Sequence, residues 1–402
     1  MSLPVPVRAK SVSRRMRKFS ESAILLLCLL TLTVCCRRHG QGGAGIPPEG
    51  DTVRMEYARN LMMVRHQDWT EVTLGDPWQT GRVLHRYVLL DSGAAVPPHL
   101  PPATVVRVPL RRSVVFTSAH CQLAHYLHAD RAIAGVCDLR YMNIPAIRQR
   151  ARLTDTAALH VTDCGDGMAP LVEKIISIGA DALLLSPFEN SGGYGRLETL
   201  GIPLIECADY MEYTPLGRAE WMKFYGLLYG RQQTADSLFA VVKEAYRHWQ
   251  QVASRSRTSL SVLTERKTGS VWYCPGGQST VGQMIRDARG RYAFSQDAHS
   301  GSLPLPFEQV LDKAGDTDVW AFKYNGDRPL SRQDLLAEYH GYDGLKAFQE
   351  GNIYECNTLA VPYFEEVSFR PDYLLREFVL LLHPDITNQG VLRYYKKIPS
   401  AS

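Results

Sequence analysis

The sequence predicts an α/β fold class, and three observations carry that expectation. Short apolar segments without polar alternation recur between helix-like segments, the pattern of a parallel sheet covered on both faces. The alternation occurs twice, once on each side of residues 214–246. That intervening stretch itself reads as helix. Gly226 and Gly230 divide it into two patterns, the first carrying Trp221, Phe224, Tyr225 and Leu228. The second runs to about Val252, with Leu238, Val242, Ala245, Trp249 and Val252 at three- and four-residue spacings, the stripe of an amphipathic helix. About twenty helical residues at roughly 1.5 Å each span about 30 Å, the width of a small domain. Periodicity alone leaves two architectures open: a stiff strut between two lobes, or a crossover helix within one large sheet.

At 402 residues the chain is long enough for two domains, each with its own core. With 45% hydrophobic and 21% charged residues its composition is globular, and a net charge of +4 makes no electrostatic case for nucleic acid as a partner. Many of the positive charges stand near the start, in Arg8, Lys10, Arg14, Arg15, Arg17 and Lys18. They precede the apolar run 23–34, AILLLCLLTLTV, in the manner of an export signal. The run is short for a membrane span, which needs about twenty residues. It ends at Cys35 and Cys36, and Leu32 fits a bacterial lipoprotein box while Val34 fits it poorly. The expectation is a signal over residues 1–35, lipid attachment at Cys35 that ties the chain to a membrane, and a Gly- and Pro-rich tether over 36–51. A plain signal peptide with incidental cysteines is the competing reading. The other cysteines, Cys28, Cys121, Cys137, Cys164, Cys207, Cys274 and Cys356, form no CxxC pair and show no zinc spacing. In an oxidising compartment some of them can pair, and their spacing does not say which.

The first run opens irregularly, with strands expected over 82–90 and 104–108 and a loop broken by Pro97, Pro98, Pro101 and Pro102. Strands follow at 113–117, 132–136, 182–186 and 202–206, with Ser118 placed to cap a helix and a further helix over 168–178. Ligands of such sheets sit beyond the carboxyl ends of the strands. Here those ends offer Ser118, His120, Asp138, Arg140, Tyr141, Pro187, Phe188, Glu189, Asp209 and Tyr210. The second run has strands at 259–263, 270–273, 317–322 and near 357–361. Its helices are expected over 280–288, opened by the glycine loop 274–279, and over 306–314. A closing helix over 369–383 has Pro371 at its start, where proline is tolerated. Its strand ends offer Trp272, Tyr273, Lys323, Tyr324 and Tyr363. The two halves share an order of elements but not a sequence, so no internal repeat is expected.

Five stretches in this order carry a family resemblance: 168–185; TPLGRAEWMKFYGLLYG at 214–230; WYCPGGQSTVGQMIRDA at 272–288; 303–320 with its PFEQVL and DVW; and RPDYLLREFVLLLHPDI near the end. Across roughly residues 77–384 the chain resembles the substrate-binding proteins of ABC importers for iron chelates, haem and cobalamin. The resemblance implies two Rossmann-like α/β lobes joined by one long α-helix, with a ligand cleft between them and only modest closure. On that reading the N-terminal lobe is 52–215, the linker helices 216–256 and the C-terminal lobe 257–399. The implied protein is a monomeric, lipid-anchored protein of the periplasm or cell envelope. It has no intrinsic cofactor, since iron would travel inside the bound chelate or haem. Its partner is the ABC permease, and the resemblance implies that one glutamate on each lobe docks to permease arginines. Glu173, in VEKII, and Glu308, in FEQVL, match those positions; the competing reading is two solvated helix carboxylates. The chain departs from the pattern at residues 287–290, DARG, where such proteins often have paired glycines, which puts the loop shape there in question.

Trp272 and Tyr273 are candidate ligand-binding residues because they precede a glycine loop, where backbone approaches a ligand closely. Core packing of one of the two is the alternative. Tyr141, Tyr324 and Tyr363 are further aromatic candidates. His120 stands just after a strand, where a histidine can ligate haem iron. On a helix His120 and His128 share a side and His125 points elsewhere. A solvated or satisfied histidine competes with ligation, and no metal site is expected. Glu189, in SPFENSGGYG, is placed to meet a cationic or hydroxyl-bearing ligand, or stands as a loop carboxylate in water. Neither this glycine cluster nor CPGGQSTVG carries the lysine of a phosphate loop. The helix starting near Thr280 can still aim backbone N–H groups at an anionic ligand group. With no G-x-S-x-G and no HExxH, the reading is a binding protein rather than an enzyme. Its rivals are a secreted α/β enzyme using the same cleft and a surface haem-capture lipoprotein without a permease.

Overall fold

The apolar segments of the first run pair into the expected parallel sheet. The computed structural model describes residues 50–154, 158–189, 193–386 and 390–400. In it Ser113–Val115 lies between Ile133–Val136 and Ala182–Leu185, with Thr162–Asp163 and Leu204–Glu206 at the edges and every pairing parallel. Every residue of Ser113–Val115 and Ala182–Leu185 is buried, which accounts for the lack of polar alternation. The second run gives Val262–Thr264, Val319–Tyr324 and Ile353–Asn357 in parallel, closed by the antiparallel edge strand Lys396–Lys397. The strand expected near 357–361 lies earlier. Asn357 turns the chain there, its Oδ1 accepting the Leu359 and Gly326 N–H groups at 3.1 and 3.4 Å. The signal, Cys35 and the tether as far as residue 49 fall outside the described residues, while Asp51, placed at the end of the tether, opens the strand Asp51–Val53.

The two parallel sheets share no strand, so the helical stretch between them joins two lobes rather than crossing over within one sheet. It begins with Pro215–Glu220, capped by Thr214, whose Oγ1 accepts the Gly217 N–H at 2.9 Å. Met222–Leu228 follows, then Gly230 at φ 63°, and then Gln232–Arg255. The buried stripe of this long helix is Ala235, Phe239, Val242, Tyr246 and Ala253; Leu238, Trp249 and Val252 flank it, partly buried. It packs on the closing helix Pro371–Leu382.

Two antiparallel arrangements complete the molecule. Residues 50–108 form a five-stranded sheet whose strands run in chain order, all antiparallel except the last pair, Val83–Asp91 with Thr104–Val108. This sheet is fastened by two buried carboxylates, Glu220 on the linker and Glu212 just before it. Glu220 accepts the N–H groups of Glu56, Tyr57 and Ala58 at 3.0, 2.7 and 2.9 Å, and Glu212 accepts those of Arg59 and Asn60. Val271–Pro275, expected from SVWY, pairs with Lys267–Thr268 and Ser302–Leu305 in a small sheet of its own. At the DARG departure, Arg289 takes φ 53°, the left-handed conformation in which a glycine is unstrained.

From Gly50 onward the chain is one compact unit. A single large apolar cluster runs from Leu61 and Val72 in the first sheet through Trp221 and Phe224 in the linker to Trp320 and Phe378 in the second lobe. The expectation of a separate core for each lobe is therefore corrected. A smaller cluster, including Val114, Ile175 and Leu183, lies between the first parallel sheet and the helix Val172–Ile178. The six cysteines of the described residues are buried free thiols.

Candidate ligand-binding site

The carboxyl ends of the first parallel sheet open onto a cleft of about 540 Å³, lined from both lobes. Thr117, His120, Phe188 and Tyr210 come from the first lobe, Arg218 from the linker, and Thr280, Met284, Lys323, Tyr363 and Phe364 from the second. Each lobe presents a half-exposed phenyl ring: Phe188 is 47% exposed and Phe364 55%. A neighbouring hollow of about 440 Å³ shares Thr280, Val281 and Lys323 with the cleft and extends to Tyr273.

The first-lobe wall is a buried polar network. Thr117 caps the helix Ser118–Tyr126, so the cap stands one residue before the expected Ser118, and its Oγ1 is in a short contact with His120 Nδ1. His120 Nε2 lies 2.7 Å from Asp209 Oδ1 and 2.9 Å from the Tyr225 hydroxyl, which in turn donates to Asp209 at 3.0 Å. Arg218 Nε reaches the other Asp209 oxygen at 3.1 Å. Burial disfavours the charged imidazolium, but Cys207 and Asp209 outweigh it and push the His120 pKa up to about 10. Burial would raise the Asp209 carboxyl, yet His120, Arg218 and Tyr225 hold it below the ordinary carboxylate range. The result is a protonated histidine and a guanidinium sharing one fully buried carboxylate.

The structure sorts the sequence candidates. Trp272 has no exposed surface; its Nε1–H donates to Thr264 O at 2.9 Å and its ring packs with Phe307, Trp320 and Tyr342. It is a core residue, which corrects its assignment as a ligand wall. Tyr273, the next residue, is 48% exposed and lines the neighbouring hollow. Tyr324 is also buried, its hydroxyl donating to Arg328 O at 2.9 Å, so it too leaves the ligand set. Tyr141 is exposed on the surface beneath the Arg140 guanidinium, 4.6 Å from its ring centre, and is not among the cleft-lining residues. Glu189 is exposed and likewise does not line the cleft. His120 does line it, but both ring nitrogens are engaged, leaving none for iron. His125 points elsewhere, as expected, pairing with Asp130 at 2.6 Å, whereas His128, expected on the side of His120, lies past the helix end at φ 55°. Among the described residues no group of three metal-binding side chains forms.

Arg218 and Phe364 were not among the sequence candidates. Arg218 lies inside the linker motif, whose spacing reads as helix rather than site. Phe364 stands on the one-turn helix Tyr363–Glu366, in a stretch read as strand end. Glu173 and Glu308 each occupy the second position of a helix, Val172–Ile178 and Phe307–Ala314, and both are exposed. Glu173 has only an exposed pairing with Arg196 at 3.4 Å.

Residues 142–358 match the family model described as periplasmic binding protein. The chain belongs to the periplasmic binding protein family. Relatives of this periplasmic binding protein include two uncharacterized lipoproteins of Methanocaldococcus jannaschii. One is 23% identical and covers 82% of each chain; the other is 24% identical and covers 86% of each. Among solved structures it is similar to a periplasmic haem-binding protein of Pseudomonas aeruginosa, with TM-score 0.54 at 14% identity, over 73% of this chain and 99% of that one. It is also similar to an ABC-type Fe3+-hydroxamate transport system of Saccharomonospora viridis, with TM-score 0.53 at 18% identity, over 68% of this chain and 93% of that one. At these identities the likeness is one of fold: two α/β lobes joined by a helix. The five-stranded sheet of residues 50–108 lies outside the span that the family model matches.

Proposed function

We propose that this protein is the substrate-binding component of an ABC importer, capturing an iron chelate, haem or a cobalamin-like compound and handing it to the permease. The observation that carries the reading is the cleft between the lobes, lined from both, in a chain of this family. A cargo touching Phe188 on one lobe and Phe364 on the other favours the closed arrangement through contacts that exist only there. Iron enters with the cargo, and Cys35 is the point of lipid attachment to the envelope membrane.

The rival reading as an enzyme needs an acid–base pair in the cleft, and His120 with Asp209 is a perturbed pair. A general base works best with a pKa near the operating pH. Held at about 10, His120 is a fixed cation at neutral pH, which favours binding over proton transfer.

On this reading Glu173 and Glu308 are the residues that meet permease arginines. Both stand exposed in the first turn of a helix, and an exposed ion pair such as Glu173 with Arg196 contributes only about 0–1 kcal/mol, so exchanging it costs little. The double charge reversal Glu173→Lys with Glu308→Lys should strongly reduce cargo uptake by cells while the purified protein keeps its affinity. Unchanged uptake would remove the docking assignment. Failure of the purified protein to bind haem, ferric chelates and cobalamin alike would remove the cargo assignment.

A further inference from the structure

We propose that the cleft selects acidic cargo, a compact chelate carrying at least two ionised acid groups, with one group gripped at Arg218 and another at Lys323. The inference rests on the binding reading above and narrows the class of ligand.

Besides the buried His120, whose charge is spent on Asp209, two cations line the cleft from different elements, Arg218 on the linker helix Pro215–Glu220 and Lys323 on the second-lobe strand Val319–Tyr324. Arg218 spends only its Nε on Asp209; its terminal N–H groups have no protein partner among the described residues. That leaves the planar fork that matches a carboxylate or similar anion in two parallel hydrogen bonds. Asp209 cannot neutralise the wall, because it is fully buried and shared between Arg218 and His120. Lys323 is paired with Glu265 and lies 5.4 Å from the Tyr363 ring centre, which holds the ammonium at the boundary between the cleft and the neighbouring hollow.

The backbone adds to the same sign. The helices Ser118–Tyr126 and Thr280–Asp287, one from each lobe, both begin at the cleft, and neither carries an acidic residue in its first turn. Each N-terminus is capped by a neutral hydroxyl, Thr117 and Ser279, rather than by a carboxylate of its own first turn, so both dipole ends still favour negative charge. Among the described residues Asp209 is the only acidic one lining the cleft itself, and Glu265 the only one lining the neighbouring hollow, where Arg266 stands beside it. The half-exposed rings Phe188 and Phe364 take the apolar body of the cargo.

The test titrates the purified protein with four probes: haemin and ferric citrate, which carry several acid groups, and cyanocobalamin and ferrioxamine B, which carry no net acid charge. One or both acidic probes should bind at least roughly tenfold more tightly than the other two, with affinity falling as salt is raised. Arg218→Gln and Lys323→Gln should each weaken the acidic probe roughly tenfold to hundredfold, the range of a charged hydrogen bond. Because Arg218→Gln also uncovers Asp209, Arg218→Lys serves as a second variant; it keeps the charge, loses the fork and should recover only part of the affinity. Thermal melting checks that each variant is folded. Tighter binding of cyanocobalamin or ferrioxamine B, or unchanged affinity in folded Lys323→Gln, overturns the acid selectivity while leaving the binding reading intact. Binding of none of the four overturns both.

Discussion

Trp272 and Tyr273 are adjacent in the chain and opposite in fate. Successive residues of a strand face opposite sides, so Val271–Pro275 turns the indole into the core and leaves the phenol half exposed beside the cleft. Trp272→Ala should therefore act on stability, costing about 3–5 kcal/mol as a large aromatic truncated inside a packed cluster. Tyr273→Ala should leave stability within about 0.5 kcal/mol and weaken cargo binding. Denaturant unfolding and ligand titration of the two variants separate these effects, and a Trp272→Ala protein of normal stability would contradict the core assignment. That one of the two rings turns inward follows from the period of a strand. Which one does depends on the partner strands Lys267–Thr268 and Ser302–Leu305, and pairings of two and four residues are too short to leave a periodic trace in the chain. His120 was legible as a strand-end residue for the same reason that its chemistry was not: Asp209 and Tyr225, which occupy its Nε2, are 89 and 105 residues away.

Among the elements, the short helix Tyr363–Glu366 ties the second lobe to the first. Glu365 Oε1 accepts the Asn143 N–H at 2.8 Å, and Tyr126 donates to Glu366 at 3.1 Å. Burial raises the Glu365 pKa above its ordinary value; the N–H of Asn143 opposes this, Glu366 adds to it and Arg148 opposes it. A carboxyl raised on folding contributes stability that is full below its unfolded pKa and is lost as the pH rises through the folded value. Glu365→Gln removes that titration while keeping an acceptor for Asn143. The stability of the variant relative to the parent should thus improve between about pH 4 and about pH 7. Urea unfolding at the two pH values measures it, and a difference that does not move with pH would show that Glu365 titrates normally. The closing helix, which lies next in the chain, was legible from its end, with Pro371 at its start. Tyr363–Glu366 was not, because one turn carries too few residues to show a period.

At the scale of the molecule, a helix-linked pair of lobes invites the expectation that each lobe unfolds alone. The packing argues against it. The main apolar cluster is continuous from the first sheet to the closing helix. The linker is also bound on two sides, by the closing helix and by residues 56–58, whose backbone N–H groups end on Glu220. Lys243 and Arg247 of the long helix add ion pairs to Glu56 at 2.9 and 3.0 Å, although exposed pairs contribute little each. Opening either lobe would strip apolar surface from the other, so the barrier to partial unfolding is set by the shared core rather than by a hinge. Guanidinium unfolding should then be a single transition. Tryptophan fluorescence, from Trp69 and Trp78 in residues 50–108, Trp221 and Trp249 in the linker and Trp272 and Trp320 in the second lobe, should coincide with far-UV circular dichroism, which reports all sheets and helices. Cargo at about a hundred times its Kd should shift both curves together, by about 2.7 kcal/mol. A fluorescence transition displaced from the dichroism, or a cargo shift confined to one probe, would mean that the lobes melt separately and that the continuous cluster does not couple them.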